Sequence, residues 1–376
     1  MVSYNKITEY IFIFLIAQLA MWYGGLANLI PNSLLAYWNF LQLMSIVLEL
    51  FMFIVKRKRL NGFTVVFLFT RAIISISTWF NGNLVQWYTL SRMVSLVLLV
   101  NLYSDDLYKI ASPLMLIFEI MVYYNLITVL QNGADIYGAF YGALGYDNDF
   151  TRYLIVAYFF ALIYMNLKKN CIRSMLLIIG IHATFIITWS ATGLFATVMA
   201  DILLIISRIS NFKINVLRGY FALLVLEVGI VFLRVQNLFS FLIIDILHKD
   251  LTFTGRTDIW DRSMSMIAKK PILGWGSMEQ IFETLLLGQT HSHNAILEQL
   301  FRGGIVYYLA FLILIILIHN HTVRFMKNRL VKDATIILFV IWIICVTESI
   351  LEDYIVYLLL AVLYSIKYIM KEDKMR

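Results

Sequence analysis

The chain has 376 residues, of which 61% are apolar and 14% are charged, and its formal net charge is +7. Soluble domains carry about 45–50% apolar and about 25% charged residues, so this composition excludes a water-soluble enzyme, a disordered chain and a nucleic-acid-binding protein. In a membrane protein, a positive excess is explained by topology. Two cysteines exclude a disulfide scaffold and a cysteine-rich metal site.

Continuous apolar runs recur along the whole chain. A spanning helix needs about 20 mostly apolar residues. Such runs occur at 10–30, 33–55, 63–80, 84–103, 108–130, 150–167, 174–190, 193–207, 217–235, 304–320, 334–349 and 354–370. Because the runs are continuous rather than alternating, they predict helices and not a β-barrel. We therefore predict an all-α polytopic membrane protein with about twelve transmembrane helices, forming a single integral membrane domain over residues 1–376.

The basic residues predict the orientation of these spans. Lys56-Arg57-Lys58-Arg59 lies between the second and third runs, which makes that side cytoplasmic. Alternation from this loop places most of the other basic residues in cytoplasmic segments as well. Both termini are therefore predicted to be cytoplasmic.

Residues 236–303 form one long outer loop between the ninth and tenth spans. Its features, in order, are a predicted helix at 257–268, a glycine-punctuated turn at 271–276, a polar segment at 291–294 and a short helix at 295–302. Long ordered loops are usually functional. Basic and acidic residues nearly balance in this loop, so it is not a general polyanion-binding surface.

Three sequence elements in and just after this loop carry a family resemblance. They are a G-R-x-x-x-W element (Gly255, Arg256, Trp260), a P-x-x-G-x-G element (Pro271, Gly274, Gly276) and an H-[NSQ]-x9-G-x-x-[GTY] element (His293, Asn294, Gly304, Tyr307). In this order they resemble the signature of the O-antigen ligase/polymerase superfamily. That superfamily includes Wzy-type polysaccharide polymerases and lipopolysaccharide O-antigen ligases.

The resemblance implies an inverting, metal-independent glycosyltransferase with a GT-C-like helical fold and no cofactor. Its substrates would be undecaprenyl-pyrophosphate-linked oligosaccharides, which it would polymerise on the outer face of the bacterial plasma (inner) membrane. Expected partners are the lipid bilayer, a flippase and a chain-length regulator. One alternative is an O-antigen ligase that transfers the glycan to a lipid-A core. Another is a polysaccharide flippase or other transporter, for which repeated halves and a charged path across the bilayer are expected.

The resemblance assigns catalytic roles to Arg256 and His293. A guanidinium can bind the pyrophosphate leaving group with two parallel hydrogen bonds. A histidine just before a helix is predicted to be neutral, so it can accept the proton of the acceptor hydroxyl. The structural alternatives are an arginine paired with Asp258 or Asp261, and a histidine that only caps or packs the helix entry.

Other residues of the loop are candidates for substrate binding. His291 and Asn294 flank the motif histidine, and Trp260 can stack on a sugar or simply anchor the loop at the interface. Alternate residues of an extended segment point the same way. The pair formed by His291 and His293 therefore also leaves a metal site as an alternative, although no third ligand stands at motif spacing.

The sequence departs from the family at one position. Many relatives carry a Ser-Arg pair at the outer end of a middle span, whereas residues 189–193 here read Trp-Ser-Ala-Thr-Gly. Two intramembrane arginines, Arg71 and Arg92, are candidates to bind the lipid pyrophosphate instead. The alternative is structural pairing with Glu119 or Asp201. A charge at this depth costs at least about 2.5–3.5 kcal/mol, so each arginine needs either a partner or a function.

Overall fold

The computed structural model describes residues 4–21, 31–85, 87–136, 138–239, 255–277, 279–286 and 288–372. These residues form fourteen α-helices and one short antiparallel hairpin, β1 (Tyr141–Gly142) with β2 (Gly145–Tyr146). In chain order the α-helices are α1 (Tyr4–Ala20), α2 (Asn32–Val55), α3 (Gly62–Phe80), α4 (Trp87–Leu102), α5 (Leu107–Asn132), α6 (Asp147–Lys168), α7 (Cys171–Thr188), α8 (Ala191–Ile209), α9 (Val216–Leu226), α10 (Arg256–Lys269), α11 (Glu279–Leu285), α12 (Ala295–Thr322), α13 (Arg329–Ile344) and α14 (Tyr354–Glu372).

Each predicted span overlaps one of these helices, in the same order. The first, α1, ends at Ala20, and residues 22–30 of that predicted span lie outside the described residues. The ninth, α9, continues as a π-helix at Glu227–Phe232. By length and hydropathy, seven helices of the described part can cross a membrane: Ser33–Val55, Gly62–Phe80, Leu107–Asn132, Asp149–Lys168, Cys171–Thr188, Ala191–Ile209 and Ala295–Phe325. The all-α multi-pass membrane architecture is therefore supported, while a total of twelve spans stays a prediction.

Asparagine residues mark where five of the helices begin. The side chains of Asn61, Asn170, Asn215, Asn294 and Asn328 each accept a hydrogen bond from a backbone N–H in the first turn of the helix that follows. Asparagine is among the preferred residues at this position because its side chain satisfies an otherwise unpaired donor. These caps allow the short loops to lead directly into helices.

The bundle is organised around α6, whose apolar segment is 83% buried. This helix packs against α5, α7, α8 and α13. By contrast, α3 packs mainly on α12, and α4 packs on α2 and α14. The outer ends of α3, α4, α6 and α12 consequently surround a common space, which contains the candidate site.

Part of the long outer loop is helical and docks on the bundle. The predicted helix at 257–268 is α10, which begins at Arg256 after a left-handed Gly255 (φ 81°). It packs against α12. Residues 240–254, 278 and 287 of the predicted loop 236–303 lie outside the described residues.

The turn at 271–276 runs beside a break in α12. The backbone N–H of Trp275 donates to the carbonyl of Phe301 at 2.7 Å. Gly304 interrupts the helix with φ 62° and ψ −164°, a conformation that is essentially restricted to glycine. A Cβ on Gly304 would lie 2.2 Å from the carbonyl oxygen of Ile272. Glycine is therefore needed here both for the backbone conformation and for the close approach of the two segments.

Candidate functional site

A cavity of about 480 Å³ lies at the predicted outer side of the bundle. It is enclosed by α3 and α4, the start of α6, the start of α12, the segment before α12 and the turn between α13 and α14. Its lining residues are Arg71, Ile74, Ser75, Val85, Thr89, Leu90, Met93, Asp149, Arg152, Ser277, Thr290, His291, Glu298, Arg302, Glu348, Ser349, Ile350, Glu352 and Asp353.

Arg71 lies deepest in the membrane span among the cavity arginines. It occupies the middle of α3 and is 6% exposed. Its guanidinium donates to the hydroxyls of Tyr307 and Tyr357, the latter at 2.8 Å. It also forms an ion pair with Glu352 at 3.3 Å. Glu352 in turn accepts a hydrogen bond from Tyr307 at 2.6 Å. The buried cation is thus compensated on one side, while the residue still lines the cavity.

Two further arginines line the cavity nearer to the predicted outer surface. Arg152, in the second turn of α6, bonds Asp149 and lies 3.6 Å from a carboxylate oxygen of Asp353. Arg302 lies one turn after Glu298 in α12 and pairs with the Glu298 carboxylate at 2.6 Å. Both arginines therefore face carboxylates that line the same cavity.

Arg256 does not line the cavity, but it contacts the carboxylate of Glu348, which does. Its guanidinium pairs with Glu348 at 3.0 Å and donates to the backbone carbonyl of Thr347. Glu348 lines the cavity and Arg256 does not. Burial raises the pKa of Glu348, and the adjacent Arg256 partly offsets that rise. The partner of Arg256 is thus Glu348 rather than Asp258 or Asp261. Asp261 instead binds Arg234 at 2.5 Å.

The two motif histidines lie against each other at the cavity wall. Their ring centroids are 4.0 Å apart, and His291 is the one that lines the cavity. Burial, with the nearby charge of Arg152, lowers the pKa of His291 to about 4. Burial is the main cause that lowers the pKa of His293 to about 3, and electrostatic interactions with His291 and Arg256 lower it further. Both rings are therefore neutral at pH 7, and burial and nearby cations account for this.

His293 is held in an unusual conformation behind that wall. Its backbone has a φ of 51°, which is uncommon for a non-glycine residue. Its Nδ1 atom is buried and has no hydrogen-bond partner among the residues that the structure describes. Nδ1 of His291, by contrast, is 2.9 Å from the hydroxyl of Thr290.

Asn294 is part of the scaffold rather than of the cavity surface. It is 0% exposed. Its side-chain oxygen accepts from the N–H of Leu297, and its side-chain nitrogen donates to Glu227 and to the carbonyl of Val346, both at 2.9 Å. In this structure Asn294 therefore has no exposed surface with which to bind a substrate. It instead joins the start of α12 to α9 and α13.

Trp260 is also buried in this structure. Its side chain is 0% exposed within the core, and the guanidinium of Arg234 lies 5.4 Å from its ring centroid. The ring presents no exposed face on which a sugar could stack, and it packs with core residues of the bundle instead.

The two intramembrane arginines, Arg71 and Arg92, have different surroundings, and only Arg71 lines the cavity. Arg92 donates through Nε to Gln42 of α2 at 3.3 Å and does not line the cavity, although Leu90 and Met93 do. The predicted structural partners were wrong for both arginines. Glu119 binds Arg173 at 2.5 Å, and Asp201 lies 2.8 Å from His182.

The structure thus sorts the seven predicted site residues into three groups. Arg71 and His291 line the cavity. Arg256 and His293 lie directly behind its wall. Arg92, Trp260 and Asn294 belong to the scaffold.

Sequence reasoning missed several charged residues that line the cavity. They are Arg152, Arg302, Glu348, Glu352 and Asp353. The three acids lie close together in one turn, and this spacing is the sequence signal that could have indicated a common surface.

Among the described residues, no set of three or more His, Cys, Asp or Glu side chains is arranged to hold a metal ion. The pair of His291 and His293 therefore has no third ligand in that part of the chain.

Comparison with protein families gives a match that covers part of this site. Residues 174–312 match the Wzy_C family, described as O-antigen ligase. The match covers less than half of the chain, extends from α7 into α12, and includes the outer loop with both motif histidines. Comparison with curated proteins and with solved structures gave no significant match. This match supports the resemblance that the sequence motifs show to the O-antigen ligase/polymerase superfamily, over the matched part of the chain.

Proposed function

We propose that the protein is a membrane glycosyltransferase that polymerises undecaprenyl-pyrophosphate-linked oligosaccharide repeat units into capsular, exopolysaccharide or O-antigen chains. The observation that carries this proposal is a buried arginine, Arg71, in the same cavity as a neutral histidine, His291. The first can stabilise an anionic leaving group, and the second can accept a proton. Both effects accelerate the transfer of a glycan from a pyrophosphate to a hydroxyl.

Arg71 is suited to the pyrophosphate of the lipid-linked donor. It lies nine residues before the outer end of α3, which is about 14 Å along the helix axis. A lipid pyrophosphate that enters from the outer leaflet can reach this depth while its sugars point outward. As the glycosidic bond breaks, negative charge grows on the pyrophosphate, and a preorganised guanidinium stabilises it. Arg71 thereby takes the role of the arginine that is missing at residues 189–193.

His291 is suited to the acceptor. In an inverting single displacement, the acceptor hydroxyl oxygen bonds to the anomeric carbon as the bond to the pyrophosphate oxygen breaks. The hydroxyl proton passes to the neutral imidazole of His291, and the electron pair of the broken bond stays on the pyrophosphate. The packed ring of His293 holds His291 at the wall. Arg256 acts on the site through Glu348, by keeping that carboxylate in place.

The grouping of charges supports the proposed orientation. Lys56 and Lys109, from two predicted cytoplasmic segments, both bind Glu9, at 2.9 and 3.0 Å. Segments predicted to be outside instead meet around the cavity. We therefore propose a GT-C-like protein with twelve spans in the bacterial plasma membrane, with both termini cytoplasmic and the site facing outward.

O-antigen ligase is the second candidate, because the matched family carries that description. A ligase would join the glycan to a lipid-A core rather than to another lipid-linked unit. A flippase and a chain-length regulator remain proposed partners of the polymerase.

Reconstitution separates these functions. Purified protein in liposomes is given lipid-linked repeat units from the source organism, with or without lipid-A core. A polymerase lengthens the glycan in both samples, whereas a ligase forms product only with the core. Transfer of lipid-linked units across the bilayer without any joining of glycans would show that the enzyme assignment is wrong.

A further inference from the structure

The cavity wall is richer in carboxylates than in cations. Five acids line it, against three arginines. The acids are Asp149, Glu298, Glu348, Glu352 and Asp353. The arginines are Arg71, Arg152 and Arg302.

The arginines of this wall are already engaged. Arg302 binds Glu298, and Arg152 bonds Asp149 and faces Asp353. Arg256 lies beside Glu348 from behind the wall. An anionic sugar would have to displace one of these carboxylates in order to reach a guanidinium.

The charges are also distributed by depth. Arg71 and Glu352 lie with Tyr307 and Tyr357 beside the middle of α3. The other four acids come from the first turns of α6 and α12 and from the turn that begins after α13. A lipid-linked donor bound with its pyrophosphate at Arg71 would therefore extend its sugars past these four carboxylates. Burial raises the pKa of both Glu348 and Asp353, and the adjacent Arg256 and Arg152 partly offset that rise.

From this arrangement, and resting on the proposed function, we infer that the two sugars joined in this cavity are uncharged and carry no carboxylate, phosphate or sulfate. Ionised carboxylates only accept hydrogen bonds, so they bind sugar hydroxyl donors and repel anionic groups. A carboxylate in place of a sugar hydroxymethyl group would lie next to charges of the same sign. The specificity of the site is thus for hydroxyl-rich neutral sugars, whatever the rest of the repeat unit carries.

Native substrate provides the first test. The gene is deleted in the source organism, the accumulated lipid-linked repeat units are isolated, and the sugars that the polymer joins are identified by mass spectrometry. We expect both to be uncharged. An acidic sugar at the junction would overturn the inference and leave the polymerase assignment standing. If no lipid-linked units accumulate and polymer is still made, the proposed function itself fails.

A second test changes the charge of the substrate and of the wall. The primary hydroxyl of a joined sugar is oxidised to a carboxylate, and kcat/KM is compared with that of the native unit. We expect a loss of about tenfold or more for the natural protein. Asp149→Asn, which releases Arg152, should reduce this loss several-fold. The matched control Asp147→Asn should leave the loss unchanged, since Asp147 accepts from the N–H of Phe140 and does not line the cavity. Equal rates for the two substrates with the natural protein, or the same ratio in the Asp149 variant, would refute the inference.

Discussion

Arg71 has two roles that a pair of substitutions can separate. As a structural group it compensates Glu352, and as a functional group it binds the leaving pyrophosphate. Removing one partner of a buried ion pair costs about 3–5 kcal/mol, because the remaining charge is left unpaired. Glu352 is 9% exposed at its side chain and would keep only the hydrogen bond from Tyr307 after Arg71→Met. We therefore expect Arg71→Met to lower stability by about 3 kcal/mol, near the lower end of that range.

The double variant Arg71→Met with Glu352→Gln removes both charges together. Its thermal unfolding midpoint in detergent should lie closer to that of the natural protein than the midpoint of Arg71→Met does, because no unpaired charge remains. Chain elongation should nevertheless remain reduced by about 10²–10³, the usual cost of losing a donor that stabilises transition-state charge. Glu352→Gln alone should keep measurable elongation, since Tyr307 and Tyr357 still hold Arg71.

The two measurements together decide the role of Arg71. If the double variant recovers both stability and elongation, the arginine is only a partner for Glu352, and the proposed pyrophosphate site is wrong. If stability returns and elongation does not, the arginine acts on the substrate.

Three further outcomes follow from the geometry. Gly304→Ala should lower the thermal unfolding midpoint by more than Gly288→Ala does. Both substitutions add backbone strain of about 1–2 kcal/mol at a positive φ. Only the Cβ at position 304 also clashes with backbone atoms, whereas the Cβ at position 288 meets nothing within 4 Å. The imidazole of His291 should titrate near pH 4 by NMR rather than near its unfolded value of about 6.5. Because the pKa of His291 is lower in the folded protein than in the unfolded chain, its contribution to stability is complete above about pH 6.5 and is lost as the pH falls towards 4. Titration of His291 near pH 6.5 would contradict its buried position. Thr290→Cys, in a chain with Cys171→Ser, should react with a membrane-impermeant thiol reagent from outside the cell, and reaction only from inside would reverse the orientation.

Fold class and the positions of the helices were predictable because they depend on local properties. Hydropathy over about 20 residues marks a membrane helix whatever its neighbours are, and basic loop residues set orientation in the same local way. The helix of the outer loop was placed to within a residue or two, since its amphipathic pattern and the following Pro271 are also local signals.

Side-chain partners were not predictable, because they depend on packing between distant segments. Arg71 and Glu352 are separated by 281 positions, and Arg256 and Glu348 by 92. Sequence alone favoured Glu119 or Asp201 as partners for Arg71 by depth. The helices that bear them pack elsewhere, so those acids bind other cations.

The composition excluded a soluble or nucleic-acid-binding protein, and the placement of the basic residues predicts the orientation, whereas the net charge of +7 carries no information about the substrate. The motifs by themselves indicated a resemblance to the superfamily. Only the tertiary structure decided that Arg71 and His291 line the cavity, while Arg256 and His293 support it and Trp260 and Asn294 are buried in the scaffold. The physical reason is that exposure to a cavity depends on which surfaces the packed helices leave uncovered, and residue type does not determine this.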